Sequence, residues 1–161
     1  DAQFRLLVQI REKTNEANNA VRTIRNVKAQ LADRRGKAGA RGAALEKLAG
    51  GLLAQLELVE QEVYQVRNRS GQDPLNYPIK LNNQIAALSG VVASAEAKPT
   101  TQSYEVYRIL AADLDGQLAK LNTLLDGGLA AVNAEIGRLG LERVVPSTAE
   151  LGGEVADPDP S

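Results

Sequence analysis

An all-α chain, folded as an antiparallel up-down four-helix bundle with an irregular acidic tail, is what this sequence predicts, on three observations. Four stretches carry apolar residues at steps of three and four, the period of a helix with one buried face. Glycine or proline marks each break between those stretches, at GKAGARG (36–42), at Ser70 to Pro74 and at Lys98-Pro99. No stretch alternates apolar and polar residues as a half-buried strand would, and no internal repeat is evident. Four amphipathic helices with short connections bury four stripes most economically in one core, so residues 1–140 are expected to form the bundle and 141–161 the tail. A pair of long helical hairpins that dimerises satisfies the same pattern and stays open.

The first helix is expected over about residues 2–35, a run free of proline and glycine. Leu7, Ile10, Thr14, Ala17, Val21, Ile24 and Leu31 recur in a heptad-like stripe, with Lys28 at its one missing beat. At 1.5 Å per residue the rod would be roughly 50 Å long, and it needs partners to be stable. Glycines 36, 39 and 42 end it, and Arg34, Arg35, Lys37 and Arg41 are suited to complement the negative end of its dipole. The second helix, about 43–68, shows Leu45, Leu48, Leu52, Leu56, Val59, Val63 and Val66 on one face. Gly50 and Gly51 lie in its first half at a cost of about 1 kcal/mol each relative to alanine, which suggests a kink or the close approach of another backbone. Glu57, Glu60 and Glu62 are expected to face solvent.

The third helix, about 78–96, opens at Tyr77-Pro78, where proline suits a first turn because it has no amide hydrogen to donate. Ile79, Ile85, Leu88 and Val92 mark it, and no charge occurs between Lys80 and Glu96, so burial on more than one side is expected. Lysine before Pro99 is biased away from helix, and Thr100 or Thr101 can cap the fourth helix, about 102–139. Tyr107, Leu110, Leu114, Leu118, Leu121, Leu125, Val132, Ile136 and Leu139 form its stripe, with Gly127-Gly128 as the place for a bend. Beyond Gly140 no periodic face remains, and the segment to Ser161 reads as surface-following or disordered.

Composition narrows function. The 161 residues suit one domain able to bury a core unaided. The net charge of −1 and pI near 5.6 argue against a general nucleic-acid binder, which needs clustered excess Lys and Arg. Histidine, cysteine, methionine and tryptophan are all absent. That excludes Glu-x-x-His di-iron sites and handicaps structural zinc, haem ligation and Cys or Ser-His nucleophiles, so no metal or cofactor is expected. Asp113 and Asp115 lie two apart on a helix and diverge, unlike an acid–base pair that must converge on a substrate. No apolar run approaches a membrane span and no signal-peptide core is visible. The start at Asp1 suggests a piece of a longer protein.

Two groups of residues stand out. Thr14, Asn18, Asn82 and Asn83 make a candidate buried polar layer, which either fixes register between helices or, with Asn19, lines a small-ligand notch. Tyr77, Tyr104 and Tyr107 lie near the starts of the third and fourth helices and make a candidate interface, or else bury their rings with wet hydroxyls. No catalytic residues are expected.

The blocks NYPIKLNNQIAAL and KPTTQSYEVY, with NNAVRTIRNVKAQL before them, resemble the helical C-terminal region of large bacterial secreted proteins with a sortilin-like, BNR (Asp-box) β-propeller, often labelled glycosyl-hydrolase-like. The similarity covers most of Phe4 to Leu139. It implies an exported or cell-envelope setting, an upstream β-propeller and a non-catalytic helical domain that docks on that propeller or on another subunit. Self-assembly into an oligomer or filament, and glycan or small-ligand binding, are the alternatives. No Asp-box lies in these residues, so hydrolytic chemistry of such parents does not carry over.

Overall fold

A computed structural model describes residues 1–66, 78–96 and 98–151. All regular structure among them is helical: α1 (Ala2–Ala38), α2 (Ala43–Val63), α3 (Leu81–Ala93), α4 (Thr101–Thr123) and α5 (Leu129–Arg138), the last two joined by one π-helical turn, Leu124–Gly128, into a single long helix. Four helical rods and no strand are therefore present among the described residues. None is long and apolar enough to cross a membrane.

Local chemistry sets the ends. Asp1 accepts the Gln3 amide at 2.8 Å and caps α1, its carboxylate also favoured by the helix dipole. The helix passes through Gly36 and stops only where Gly39 takes φ +53°, a left-handed conformation that glycine adopts without strain. A 3₁₀ turn, Gly39–Arg41, follows, and a Cβ on Gly42 would lie 2.7 Å from that of Ala38, so the corner into α2 tolerates no side chain there. Thr100 is the cap of α4: its Oγ1 accepts the Ser103 amide at 3.1 Å. Gly140, at φ +72°, closes α5, with Leu141 donating to the Ile136 carbonyl as a Schellman turn requires.

The chain divides into two compact units. The first contains Asp1–Asn19 and Gln61–Leu118, and the second Ala20–Glu60 and residues 119–151 among those described. Thus α3 belongs to the first unit and all but the end of α2 to the second, while α1 and the fourth rod contribute to both.

In the first unit α1 and α3 run antiparallel. Gln3 Nε2 donates to the carbonyls of Val92 and Ala95, at 2.9 and 3.1 Å, at the C-terminal end of α3, while Asn18 meets Asn82 at its other end. Leu6 and Ile10 are buried from α1, Leu81, Ile85, Leu88 and Val92 from α3, and Ala111 and Leu114 from α4. The first of these corrects the α1 stripe, since Leu6 rather than Leu7 turns inward. α3 also differs from expectation. It begins at Leu81, not Pro78, and its buried residues form one face at spacings of three and four, leaving Val91 61% exposed. A charge-free helix is not thereby a fully buried one: alanine, serine and glycine tolerate water, so the missing charges marked no second partner.

In the second unit α2 runs antiparallel to α1. Arg35 forms a two-pronged pair with Glu46, at 2.9 and 2.6 Å, and Lys28 lies 3.6 Å from Glu57 and 3.2 Å from Glu60. Glu60, expected in solvent, is only 5% exposed. Arg25 Nε at 3.1 Å and Lys28 supply the cations that let a carboxylate sit there. Lys28 at the missing beat of the α1 stripe is thus an ion-pair position, and its neighbour Val27 takes the core place. α2 ends at Val63, short of residue 68, and Gln65 donates to the Pro78 carbonyl at 2.9 Å, within the first unit. The expectation for residues 67–68 lies outside the described residues. Leu48 and Val66, assigned to the α2 stripe, are exposed, and Ala49 is buried instead.

Gly50 and Gly51 cause no break in α2, and a Cβ on either would meet nothing within 4 Å. Close approach occurs instead at Gly128, where a Cβ would come to 3.0 Å from Leu52 Cδ1. The expected bend at Gly127-Gly128 is the π turn, in which Leu129 donates to the Leu124 carbonyl five residues back. Its extra residue shows in the spacing: buried Leu114 and Leu121 are seven apart, and the next buried leucine, Leu129, follows eight later.

Candidate interaction surfaces

From Glu142 to Ala149 the tail is a strap laid along α1. Three α1 side chains at four-residue spacing, Asn26, Gln30 and Arg34, project along one side of that helix, each about 6 Å from the next. They bond the main chain of the strap, which runs antiparallel to α1. Arg34 Nε donates to the Glu142 carbonyl at 2.6 Å, and its Nη2 to that of Arg143 at 3.4 Å. Gln30 takes both main-chain groups of Val145, donating to its carbonyl at 2.7 Å and accepting its amide at 3.1 Å. Asn26 accepts the Ser147 amide at 3.2 Å and donates to the Ala149 carbonyl at 2.9 Å. Two extended residues span about 6.6 Å, close to one four-residue step of a helix, which is why Val145 and Ser147 fall opposite Gln30 and Asn26. Pro146, between them, has no amide hydrogen to leave unsatisfied.

From α5, Asn133 completes the arrangement. Its amide donates to the Val144 carbonyl at 2.9 Å and accepts the Val144 amide at 2.7 Å. The Val144 side chain is fully buried, whereas Glu142, Arg143, Val145, Pro146, Ser147, Thr148 and Ala149 are exposed. The groove therefore reads an extended main chain and one β-branched side chain. Sequence reasoning singled out none of Asn26, Gln30, Asn133 and Val144, and gave Arg34 a different role. The usable signal was Asn26-x₃-Gln30-x₃-Arg34, a polar row beside the apolar stripe; the basic knot at Arg34, Arg35 and Lys37, expected to complement the helix dipole, is committed to the strap, Glu46 and Asp33.

In the first unit the candidate polar layer is dispersed. Asn82 is 6% exposed and its Nδ2 lies 3.5 Å from Asn18 Oδ1, while its own Oδ1 is buried without a hydrogen-bond partner. Thr14 turns back to the Ile10 carbonyl at 2.8 Å, as threonine does inside a helix. Asn83, expected to be buried, is exposed because one residue along a helix turns the side chain by 100°, from the inner face to the outer. Only Asn18 and Asn82 are brought together.

Of the candidate tyrosine interface, Tyr77 lies outside the described residues, and Tyr104 and Tyr107 are half-buried on α4. Burial pushes the Tyr107 phenol up from its ordinary pKa, opposed by Lys13 and reinforced by Glu16, Asp115 and Glu12. Those residues place Tyr107 beside α1, where Lys13 bridges Asp115 at 2.7 Å and Glu16 at 3.0 Å. The hydrogen bond that Lys13 donates to Asp115 is the main reason its ammonium is held above its usual pKa. Asp115 is thus a structural ion-pair partner, while Asp113 lines a polar cleft of about 520 Å³ with Glu62, Gln65, Lys80, Gln84 and Gln117. None of the four polar-layer residues lines that cleft.

Large apolar side chains also face solvent in the first unit. Phe4 (65% exposed) and Val8 are neighbours four apart on α1, and Val106 and Ile109 (62% exposed) are neighbours three apart on α4. Among the described residues no group of three or more acidic, His or Cys residues is arranged to hold a metal ion. Compared with known proteins, the chain matches no family model, no curated protein and no solved structure.

Proposed function

We propose that this chain is a non-catalytic helical interaction domain of a larger exported protein bearing a β-propeller, and that its first unit docks on that propeller or on a partner subunit. What carries the reading is the pair of apolar neighbours, Phe4 with Val8 and Val106 with Ile109, presented to solvent by helices whose opposite faces already fill a core. Single exposed apolar residues are ordinary on a protein surface; neighbours on two helices of the same unit are the stock from which interface centres are made. The resemblance of the NYPIKLNNQIAAL and KPTTQSYEVY blocks supports the propeller as occupant and the exported setting. A glycan- or ligand-binding role for the asparagines has less support, since Asn18 and Asn82 bond each other and Asn83 points away.

Light scattering on the chain mixed with the propeller-bearing portion of its parent tests the docking. A one-to-one complex is expected, weakened at least tenfold by Phe4→Asp or Ile109→Asp in chains of unchanged helicity. No association, or equal binding by both variants, would overturn it, and turnover of a glycan or peptide by the chain alone would remove the non-catalytic reading.

A further inference from the structure

We propose that the groove lined by Asn26, Gln30, Arg34 and Asn133 is a docking site for an extended peptide supplied by a second copy of this chain, namely its 141–151 segment, LERVVPSTAEL. The contacts that hold the strap are made almost wholly to main-chain amides and carbonyls, with Val144 as the one enclosed side chain. Such a site does not distinguish the chain's own strap from an identical one arriving from outside. The sequence that fits is by construction the sequence every copy carries.

The connection to α5 is built for the exchange. The strap leaves the helix through Gly140 in the left-handed region, and the turn there is held by the Gly140 amide on the Gly137 carbonyl and the Leu141 amide on the Ile136 carbonyl. Opening those two bonds together with the groove contacts lets residues 141–151 swing away while Leu129–Arg138 stays helical. In an exchanged pair every groove bond is remade, so the contact energy is unchanged, and the balance rests on the tether's effective concentration against the concentration of copies. The strap's exposed side chains impose no requirement, and its anchor, a valine, is small enough to enter and leave without repacking large neighbours. The inference concerns the second unit alone and is independent of docking by the first.

Complementation of two full-length variants tests it. One copy carries Val144→Asp, which spoils the strap and leaves the groove; the other carries Asn26→Leu and Asn133→Leu, which spoil the groove and leave the strap. Each alone is expected at the monomer mass of 17.2 kDa. Mixed, they are expected to give a species of twice that mass, with hydrogen exchange at Val145 and Ser147 of the Asn-substituted copy slowed at least tenfold. Two folded variants that stay monomeric and unprotected on mixing overturn the proposal. Binding of free LERVVPSTAEL to the Val144→Asp copy without a mixed dimer overturns the second copy as the source. Should either variant fail to fold, Gly140→Val keeps both groove and strap intact and penalises only the turn. It is expected to dimerise at lower concentration than the parent chain, and an unchanged monomer mass across a concentration series overturns the proposal equally. The propeller portion is absent from every arm, so failure here and failure of the docking reading are separate results.

Discussion

Asn82 shows what one buried amide costs and what it specifies. Its Nδ2 has a long contact to Asn18 and its Oδ1 has no partner, a position that loses roughly 1–3 kcal/mol of solvation without full return. Asn82→Leu removes the orphaned acceptor, and the partly exposed Asn18 can turn to water. The urea midpoint is therefore expected to rise, by the equivalent of about 1 kcal/mol. A fall would mean that the pair contributes net stability. Thr100 lies at the opposite end of the scale, a single hydroxyl holding the start of α4. Thr100→Ala should lower stability by about 1 kcal/mol in chemical denaturation, while Thr101→Ala, one residue inside the helix, should change little. The cap and the candidate layer were both visible as residue types; which threonine capped and which asparagine turned inward depended on where each helix began, to within one residue.

At the scale of elements, the two glycine pairs separate. Gly50 and Gly51 lie within an unbroken α2 with open space around them, so they cost helix propensity without a compensating contact. Gly50→Ala and Gly51→Ala are each expected to add up to about 1 kcal/mol, read as a higher urea midpoint. Gly128→Ala is expected to gain less than either, because the new methyl meets Leu52 Cδ1 at 3.0 Å and that buried side chain must shift to admit it, which offsets the gain in helix propensity. The periodicity of three and four placed all four rods and the breaks between them. It could not show that Gly36 continues α1, that α2 stops at Val63 or that the fourth rod takes up an extra residue, since those outcomes depend on what the neighbouring segments offer.

Across the whole molecule, exposed ion pairs set the response to acid. Arg34 and Lys37 hold Asp33 below the usual carboxylate range, as Arg35 holds Glu46 and Arg138 holds Glu135. Carboxyls whose pKa is depressed by folding contribute stability that is present above their unfolded value of about 4 and is lost as pH falls through the folded one. The urea midpoint is expected to decline below about pH 4, and added salt should shrink that decline because the pairs are solvent-exposed. Lys13, raised by Asp115, has the opposite sign: its contribution is present below the unfolded lysine pKa and is lost as pH climbs through the higher folded value. Lys13→Met should shrink the alkaline part of the profile, to which the raised Tyr107 phenol also contributes, and leave the acid limb.

The one-dimensional pattern of this chain determined that it is all-α, where its rods lie, and that metal ligation by histidine or cysteine is outside its chemistry, because helical period and residue inventory are local properties. Only the tertiary structure decided that α2 and α3 belong to different units, that Glu60 is enclosed by two cations, and that residues 141–151 are a strap read by Asn26, Gln30, Arg34 and Asn133. The strap has no period because most of its bonds go to side chains more than a hundred residues away on α1, with Asn133 of α5 the nearer exception, and a pattern confined to neighbouring residues carries no trace of partners at that distance.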